Sequence, residues 1–249
     1  MRDRNLRDKL NLSYLEVAEK TYSAGPLDVP VLWCPHSKAL EINYIALYDD
    51  LSEYEKTDRT AIAFFQYDSV WNGQNGLFAA IYYNNKERLA YYKKRFSRSD
   101  GKPFVFIEPD VSHIGGVHAV ENLYRYFQAR IIANWLIIEC GAVVIPNLTA
   151  SSGDYFKVMI SGLETTEVVA INTVGHLSKP KFSFSLEMAR YALENLKNLK
   201  LIIVYTASKE RDEIKKKFEN ALDNKIKVLV PLNRLSARNE ELSLGVSKQ

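Results

Sequence analysis

Residues 168–204 read VVAINTVGHLSKPKFSFSLEMARYALENLKNLKLIIV, and this stretch decides the fold class. It opens with the apolar run 168–171 and closes with the apolar run 201–204, each of a length typical of a buried strand. Between them, residues 185–196 place apolar side chains at helical spacing. A buried strand, a helix and a second buried strand in this order predict two parallel strands joined by a crossover helix.

The same alternation continues through most of the chain. Further strands are predicted at residues 31–34, 61–65, 104–107, 142–145 and 228–230, and further helices at 88–96, about 117–140, 154–161 and 209–222. Repeated strand-helix units of this kind predict an α/β fold with a mainly parallel sheet. A (β/α) barrel-like arrangement and an open three-layer arrangement both satisfy the pattern, and both stay open here.

The length of 249 residues is typical of one large domain. We expect a single α/β domain over residues 1–233, in which residues 1–30 form an N-terminal helical extension with a short helix near 11–19. Residues 234–249 are polar and are expected to be a frayed tail. The stretch 40–60 mixes apolar and acidic residues and receives no assignment.

Bulk composition restricts the possible classes of protein. The 33 basic and 30 acidic residues leave a net charge of only +3, which is too balanced for a dedicated nucleic-acid binder but permits local binding. Cys34 and Cys140 lie far apart in the chain, so we expect no disulfide framework. Since proteins of reducing compartments lack such frameworks, we expect a cytoplasmic location. The most apolar stretch, 131–140, is too short to cross a membrane. The oligomeric state is left open.

Four familiar enzyme motifs are missing from the sequence. It has no GxxxxGK[ST] phosphate loop, no GxGxxG after a strand, no GxSxG elbow and no HExxH. A phosphate-loop NTPase, a standard dinucleotide enzyme, an α/β-hydrolase and a zincin metalloprotease are therefore disfavoured.

Polar residues follow each of the better predicted strands. Parallel α/β folds bind ligands at the carboxyl ends of their strands, so these residues are the candidate site. We predict that the catalytic groups come from Asp68, Glu108, Asp110 and His113, and the ligand-binding groups from Asn147, Thr149, Asn172 and Tyr205. Several of these residue types also serve as ordinary turn and helix-cap residues, which is the competing interpretation.

Glu108 and Asp110 are the most informative pair in that set. Alternate residues at a strand end point the same way, so the two carboxylates could hold Mg²⁺ or divide acid and base roles, with Asp68 joining them. His113 could carry a proton or bind a metal because its unperturbed pKa lies near neutrality. The sequence does not identify the cofactor beyond this possible Mg²⁺.

A basic run marks a second candidate surface. Lys93, Lys94, Arg95 and Arg98 stand beside tyrosines at 91 and 92. Cations interleaved with aromatic rings suit the phosphates and bases of single-stranded nucleic acid. A plain solvated helix face is the competing interpretation.

Short segments in order along the chain resemble an uncharacterised bacterial and phage family, the domain of unknown function 4417. The likeness runs through residues 64–68 with Trp71, 108–112, 141–146, 169–175 and 202–205. The Pro109-Asp110 pair before Ser112 fits the family, whereas Thr206 stands where the family usually has Gly. The resemblance implies a phage or mobile-element context and supplies no mechanism.

Two functional hypotheses follow from these observations. The first is an enzyme or ligand-binding protein whose polar site at the strand ends acts on a nucleotide or nucleic acid. The alternative is a non-catalytic protein that engages a host protein or DNA. The sequence does not decide whether the chain is an enzyme.

Overall fold

A computed structural model describes most of the chain from residue 22 onward. The described residues are 17, 20, 22–25, 27–32, 40–47, 59–64, 76–98, 100–110, 113–174, 179–234 and 236. The predicted helix at 11–19, apart from residue 17, and Asp68, Cys34 and most of the tail lie outside them.

Parallel strands form the centre of the fold. The strands are β1 (Ser23–Ala24), β2 (Val29–Pro30), β3 (Tyr44–Leu47), β4 (Thr60–Ala63), β5 (Val105–Ile107), β6 (Val143–Ile145), β7 (Asn147–Leu148), β8 (Val168–Asn172), β9 (Leu201–Tyr205), β10 (Lys227–Leu229) and β11 (Leu232–Asn233). One parallel sheet has the order β11-β3-β4-β5-β6, and a second has the order β10-β9-β8-β7. The predicted α/β fold with parallel strands is confirmed.

The two parallel sheets are joined into a ring. Only Pro146 separates β6, which pairs with β5, from β7, which pairs with β8. In the same way β10 pairs with β9, and β11, two residues further on, pairs with β3. Among the described strands the pairing order therefore returns to its start, and the barrel-like alternative is the one that the strand pairing supports.

Side chains of the barrel strands alternate between two apolar clusters. Alternate residues of the strands form an inner cluster, which includes Ile45, Ile107, Ile145, Ala170 and Ile203. Their neighbours along each strand pack outward against the helices in the larger second cluster. Burial on both faces explains why the strands read as continuous apolar runs in the sequence.

Helices cover the outside of the barrel. They are α1 (Leu77–Tyr82), α2 (Lys86–Arg95), α3 (Ala119–Cys140), α4 (Phe156–Ile160, preceded by the 3-10 turn Gly153–Tyr155), α5 (Lys179–Asn195) and α6 (Arg211–Ala221). The predicted helices at 88–96, 117–140, 154–161 and 209–222 match these bounds closely. Helix α3 ends on Gly141 at φ +63°, the left-handed conformation that glycine adopts without strain. None of the helices in the described residues is long and apolar enough to cross a membrane.

Three expectations about local structure need correction. The described part of the N-terminal extension contains the antiparallel pair β1–β2 rather than helix alone. Of the predicted strand 31–34, residues 31 and 32 belong to no strand, and residues 33 and 34 lie outside the described residues. The unassigned stretch 40–60 supplies β3. The polar tail does not fray at its start, because Ser236 is fully buried and exchanges hydrogen bonds with Asn233.

Candidate functional site

The carboxyl end of the barrel carries a layer of polar side chains above an apolar interior. Asn172 continues the inward alternation of Val168 and Ala170, and Tyr205 belongs to the inner cluster. Asn147 follows Val143 and Ile145 with the same alternation across Pro146. We call Asp110, Asn147, Asn172 and Tyr205 the barrel mouth. All four residues were predicted to belong to the site.

A carboxylate and an amide meet across this mouth. The Asn172 side-chain Nδ2 donates to Asp110 Oδ2, and Asn172 Oδ1 accepts a hydrogen bond of 2.8 Å from the backbone N–H of Val174. The second contact fixes which end of the Asn172 amide faces Asp110. Asp110, which follows β5, is therefore held in place by the end of β8.

Asn147 is a buried polar residue whose side chain lacks hydrogen-bond partners within the described part of the chain. It is only 6% exposed, yet neither Oδ1 nor Nδ2 of its side chain has a hydrogen-bond partner among the described residues. A buried polar group without a partner costs about 1–3 kcal/mol. Such a group in a native site indicates that a bound molecule or water supplies an acceptor for Nδ2 and a donor for Oδ1.

Glu108 lies beside the mouth but faces the helical layer. Its Oε1 lies 3.5 Å from Nε of Arg130 on α3, and its Oε2 accepts a hydrogen bond of 3.1 Å from the backbone N–H of Asn147. Burial raises the pKa of Glu108, while Arg130 and the N–H of Asn147 act in the opposite direction. These contacts differ from those of Asp110, and the expectation that the two carboxylates hold Mg²⁺ or divide acid and base roles stays a prediction.

His113 is packed between aromatic rings near the same strand ends. Its ring lies edge to face with Tyr126 at a centroid distance of 4.0 Å and with Tyr155 at 5.6 Å. Burial, and to a smaller extent Arg125, lowers its pKa to about 4. The imidazole is therefore neutral at neutral pH, which argues against the expectation that His113 titrates near neutrality. The Tyr126 hydroxyl donates a hydrogen bond to the carbonyl oxygen of Thr149.

Hydrogen bonds along the rim join neighbouring strand ends. Thr173 Oγ1 donates to the Tyr205 carbonyl over 3.1 Å, and Asn233 Nδ2 donates to the Thr206 carbonyl over 2.7 Å. Asn233 pairs in register with the inward-facing Ile45, so it belongs to the polar end of the barrel. Sequence reasoning missed Asn233 because the last strand was expected to end before Pro231.

Arg130 is the second residue that sequence reasoning missed. It is only 2% exposed and lies in the apolar stretch RIIANWL, residues 130–136. Arg130 is the lone charged residue of the segment 126–138, and this is the signal that could have indicated a buried partner of opposite charge.

The predicted nucleic-acid contacts lie around the C-terminal end of α2. Three of them have intramolecular partners: Lys93 contacts Glu139 at 3.2 Å, Arg95 donates to the Tyr91 hydroxyl, and Arg98 pairs with both oxygens of Asp100. Lys94 is exposed. Their role in binding nucleic acid stays a prediction.

The described residues contain no group of three His, Cys, Asp or Glu side chains placed to hold a metal ion. Glu108 is already bound by Arg130, and Asp68 lies outside the described residues. The predicted Mg²⁺ site therefore gains no support from the donors among the described residues.

The fold and site together define a parallel α/β barrel protein with a polar mouth at the carboxyl ends of its strands. The chain belongs to the family described as Domain of unknown function (DUF4417), whose model matches residues 23–225. The resemblance noted in the sequence is thereby confirmed at the level of the family. Neither the curated proteins nor the solved structures include a significant match to the chain.

Proposed function

We propose that the barrel mouth is the functional site of an enzyme or ligand-binding protein, and that its ligand is a nucleotide or a base of a nucleic acid. The single observation that carries this proposal is the buried side-chain amide of Asn147, whose donor and acceptor both lack partners among the described residues. Nucleobase edges present the same pairing of one donor beside one acceptor, and asparagine binds them in a bidentate manner.

Asp110 is the group that we assign to acid-base chemistry at this site. It is partly buried at the mouth, and the amide of Asn172 orients its carboxylate. A positioned carboxylate of this kind can accept a proton from a bound ligand or from water. Glu108 has a supporting role instead, since its oxygens already hold Arg130 and the backbone of Asn147.

The test measures the melting temperature of the protein with nucleoside monophosphates of each base and with a single-stranded oligonucleotide. A ligand that binds the folded state raises the melting temperature. We expect Asn147→Ala to abolish this rise. Asn134→Ala is the matched control, because Asn134 is 3% exposed and also has an amide nitrogen without a partner among the described residues, but lies on α3 outside the barrel. The proposal fails when no nucleotide raises the melting temperature or when both variants lose the rise equally.

A phage or mobile-element context is part of this proposal. The second candidate function is that of a non-catalytic binding protein that engages a host protein or DNA. The observation that favours contact with DNA is the cationic last turn of α2, where Lys94 is exposed beside Tyr91, itself 56% exposed. An exposed aromatic ring next to cations suits stacking of a base with its phosphate neutralised. The salt dependence of oligonucleotide binding tests this candidate separately from the mouth.

A further inference from the structure

Asn147 has an alanine as its neighbour on the next strand. β7 and β8 are paired so that Asn147 is in register with Ala170. The next pair in register, Leu148 and Ile171, belongs to the outer cluster, and side chains alternate along a strand. Asn147 and Ala170 therefore both point into the barrel. Neighbouring strands lie about 4.7–4.9 Å apart, so the Ala170 methyl group is next to the Asn147 side chain.

Ala170 is a small residue in a part of the fold where large side chains are usual. Bulky branched residues dominate the interior layers of parallel α/β barrels. On the other side of Ala170, the residue in register on β9 is Ile203 of the inner cluster. The row across the three strands is therefore asparagine, alanine and isoleucine, and the side chain in its middle is the shortest. A valine or isoleucine at position 170 would occupy the volume beside the amide.

The Asn147 side chain lies one layer deeper in the barrel than the rest of the mouth. Asn172 comes two residues after Ala170 on β8 and is in register with Tyr205. Each residue of a parallel strand adds about 3.3 Å, so the two layers are about 6–7 Å apart. The Asp110 carboxylate, which accepts a hydrogen bond from Asn172, belongs to the upper layer. A group that bonds to the deeper amide must therefore pass these upper side chains.

The second observation at the same place is the hydrogen-bonding capacity of Asn147. Its side chain is 6% exposed, and both Oδ1 and Nδ2 lack partners among the described residues. A void lined only by apolar groups stays dry, whereas space beside a buried polar group holds an atom that bonds to it. The pairing of Ala170 with Asn147 thus combines a small side chain with an amide that requires a partner.

The depth of this amide restricts the form in which a base can reach it. A base within a duplex has its pairing edge covered by its partner and its faces covered by its stacked neighbours. Enzymes that act on a base therefore use single strands or turn the base out of the stack into a pocket. An unpaired base can present its thin edge to an amide about 6–7 Å below the rim.

We propose that Ala170 is the specificity-determining residue of the barrel mouth and admits the edge of one unpaired nucleobase to the Asn147 amide. This inference rests on the proposed function and adds to it the residue that sets the size of the site. It also restricts the ligand to an unpaired base, whether in a mononucleotide or in a single strand. A larger side chain at position 170 excludes the base, and a hydroxyl group there bonds to the amide in place of the base.

The experiment measures the rise in melting temperature that nucleoside monophosphates and a single-stranded oligonucleotide cause in the full-length protein. Each variant is compared with its own melting temperature without ligand. Ala170→Val is expected to abolish the rise. Ala170→Ser adds only one hydroxyl group and is expected to weaken binding about tenfold, which corresponds to one hydrogen bond. The same oligonucleotide annealed to its complement is expected to cause none of the rise that depends on Asn147.

Ala61→Val is the matched control for overpacking of the barrel interior. Ala61 is also a fully buried alanine of the inner cluster. It is in register with Val105, which is in register with Val143, so it lies toward the amino ends of the strands. The added methyl groups should lower the stability of both valine variants. Only Ala170→Val is expected to lose the rise caused by the ligand.

The outcomes separate this inference from the proposed function. If no compound raises the melting temperature of the wild type, both fail together. If the rise depends on Asn147 but persists in Ala170→Val, or if Ala170→Ser binds with unchanged affinity, only the role of Ala170 is overturned. Equal loss of the rise in Ala61→Val, or an equal Asn147-dependent rise with the duplex, also overturns this inference alone. Where Ala170→Val does not fold, the affinity of Ala170→Ser decides.

Discussion

Glu108 at the end of β5 and Arg130 in the middle of α3 form an ion pair with only 4% and 2% of their side chains exposed. The pair attaches the longest helix to the strand end beside the barrel mouth. Glu108 also accepts the backbone N–H of Asn147, so the same carboxylate supports the residue on which the proposed function depends. The Glu108 side chain thus links the packing of α3 to the position of Asn147 in the barrel mouth.

Removing one member of this ion pair is expected to destabilise the fold strongly. Arg130→Met leaves a buried carboxylate without its cation, which costs about 3–5 kcal/mol of unfolding free energy. The measurement is chemical denaturation at neutral pH. Arg125→Met, which removes a more exposed i,i+4 pair with Glu121, is expected to cost less than about 1 kcal/mol. Equal losses for the two variants would contradict a special role of the buried pair.

The double variant Glu108→Leu with Arg130→Met is expected to be more stable than Arg130→Met alone. Replacing both buried charges removes the desolvation penalty that a single substitution leaves behind. Denaturation curves of the wild type, both single variants and the double variant give the coupling free energy directly. A double variant whose loss equals the sum of the single losses would show that the two side chains do not interact.

His113 is expected to make stability depend on pH in the mildly acidic range. Its folded-state pKa of about 4 lies below the ordinary value of 6.5, so the unfolded chain binds the proton more readily. The contribution of His113 to the free energy of unfolding is therefore fully present above pH 6.5 and is lost as the pH falls toward 4. The loss is at most about 3 kcal/mol. His113→Phe keeps an aromatic ring against Tyr126 and should flatten this part of the profile. Melting temperatures across the range provide the check, and parallel profiles for both proteins would refute the assignment.

Asp110→Asn is expected to remove the function of the barrel mouth while leaving the fold intact. Asparagine has the shape of aspartate and can still accept a hydrogen bond from Asn172, but it cannot take up a proton. We expect a change in melting temperature of a few degrees at most and loss of any catalytic turnover of the ligand identified with Asn147. A variant that simply unfolds would make Asp110 a structural residue of the strand end.

Gly162 is expected to tolerate no side chain. Its φ is +77°, and a Cβ atom there would lie 3.0 Å from the Pro30 carbonyl oxygen and 3.0 Å from the Val31 Cα. Gly162→Ala should therefore cost about 1–3 kcal/mol of unfolding free energy. Gly153→Ala is the control, because its φ is not positive and its Cβ would meet only Phe156 at 4.0 Å. Similar melting temperatures for the two variants would argue against this close approach.

Lys94→Glu is expected to weaken binding of single-stranded DNA if the end of α2 contacts phosphates. Loss of one phosphate contact should reduce the slope of log affinity against log salt by about 1. The same charge change in Lys216→Glu on α6 controls for net charge. Fluorescence anisotropy at several salt concentrations makes the comparison, and equal effects of the two variants would remove the case for a specific contact.

The positions of some predicted site residues could be inferred from the sequence, because a strand end decides them, while their roles stay predictions. Asn172 and Tyr205 follow unbroken inward alternation in β8 and β9, so their placement at the mouth could be inferred from apolar runs alone. Glu108 could not be placed in this way. Its strand ends at Ile107, and its partner Arg130 comes from a helix that packs from outside.

The sequence by itself determined the alternation of strands and helices and the polar character of the strand ends, because apolar periodicity, turn residues and helix caps act over a few neighbouring residues. Only the tertiary structure decided that the sheet closes through the bridging strands β6–β7 and β10–β11. It also decided that the Asn147 side chain lies in the mouth without a hydrogen-bond partner among the described residues. Strand order, closure and the pairing of Glu108 with Arg130 depend on contacts between residues far apart in the chain, which no local pattern records.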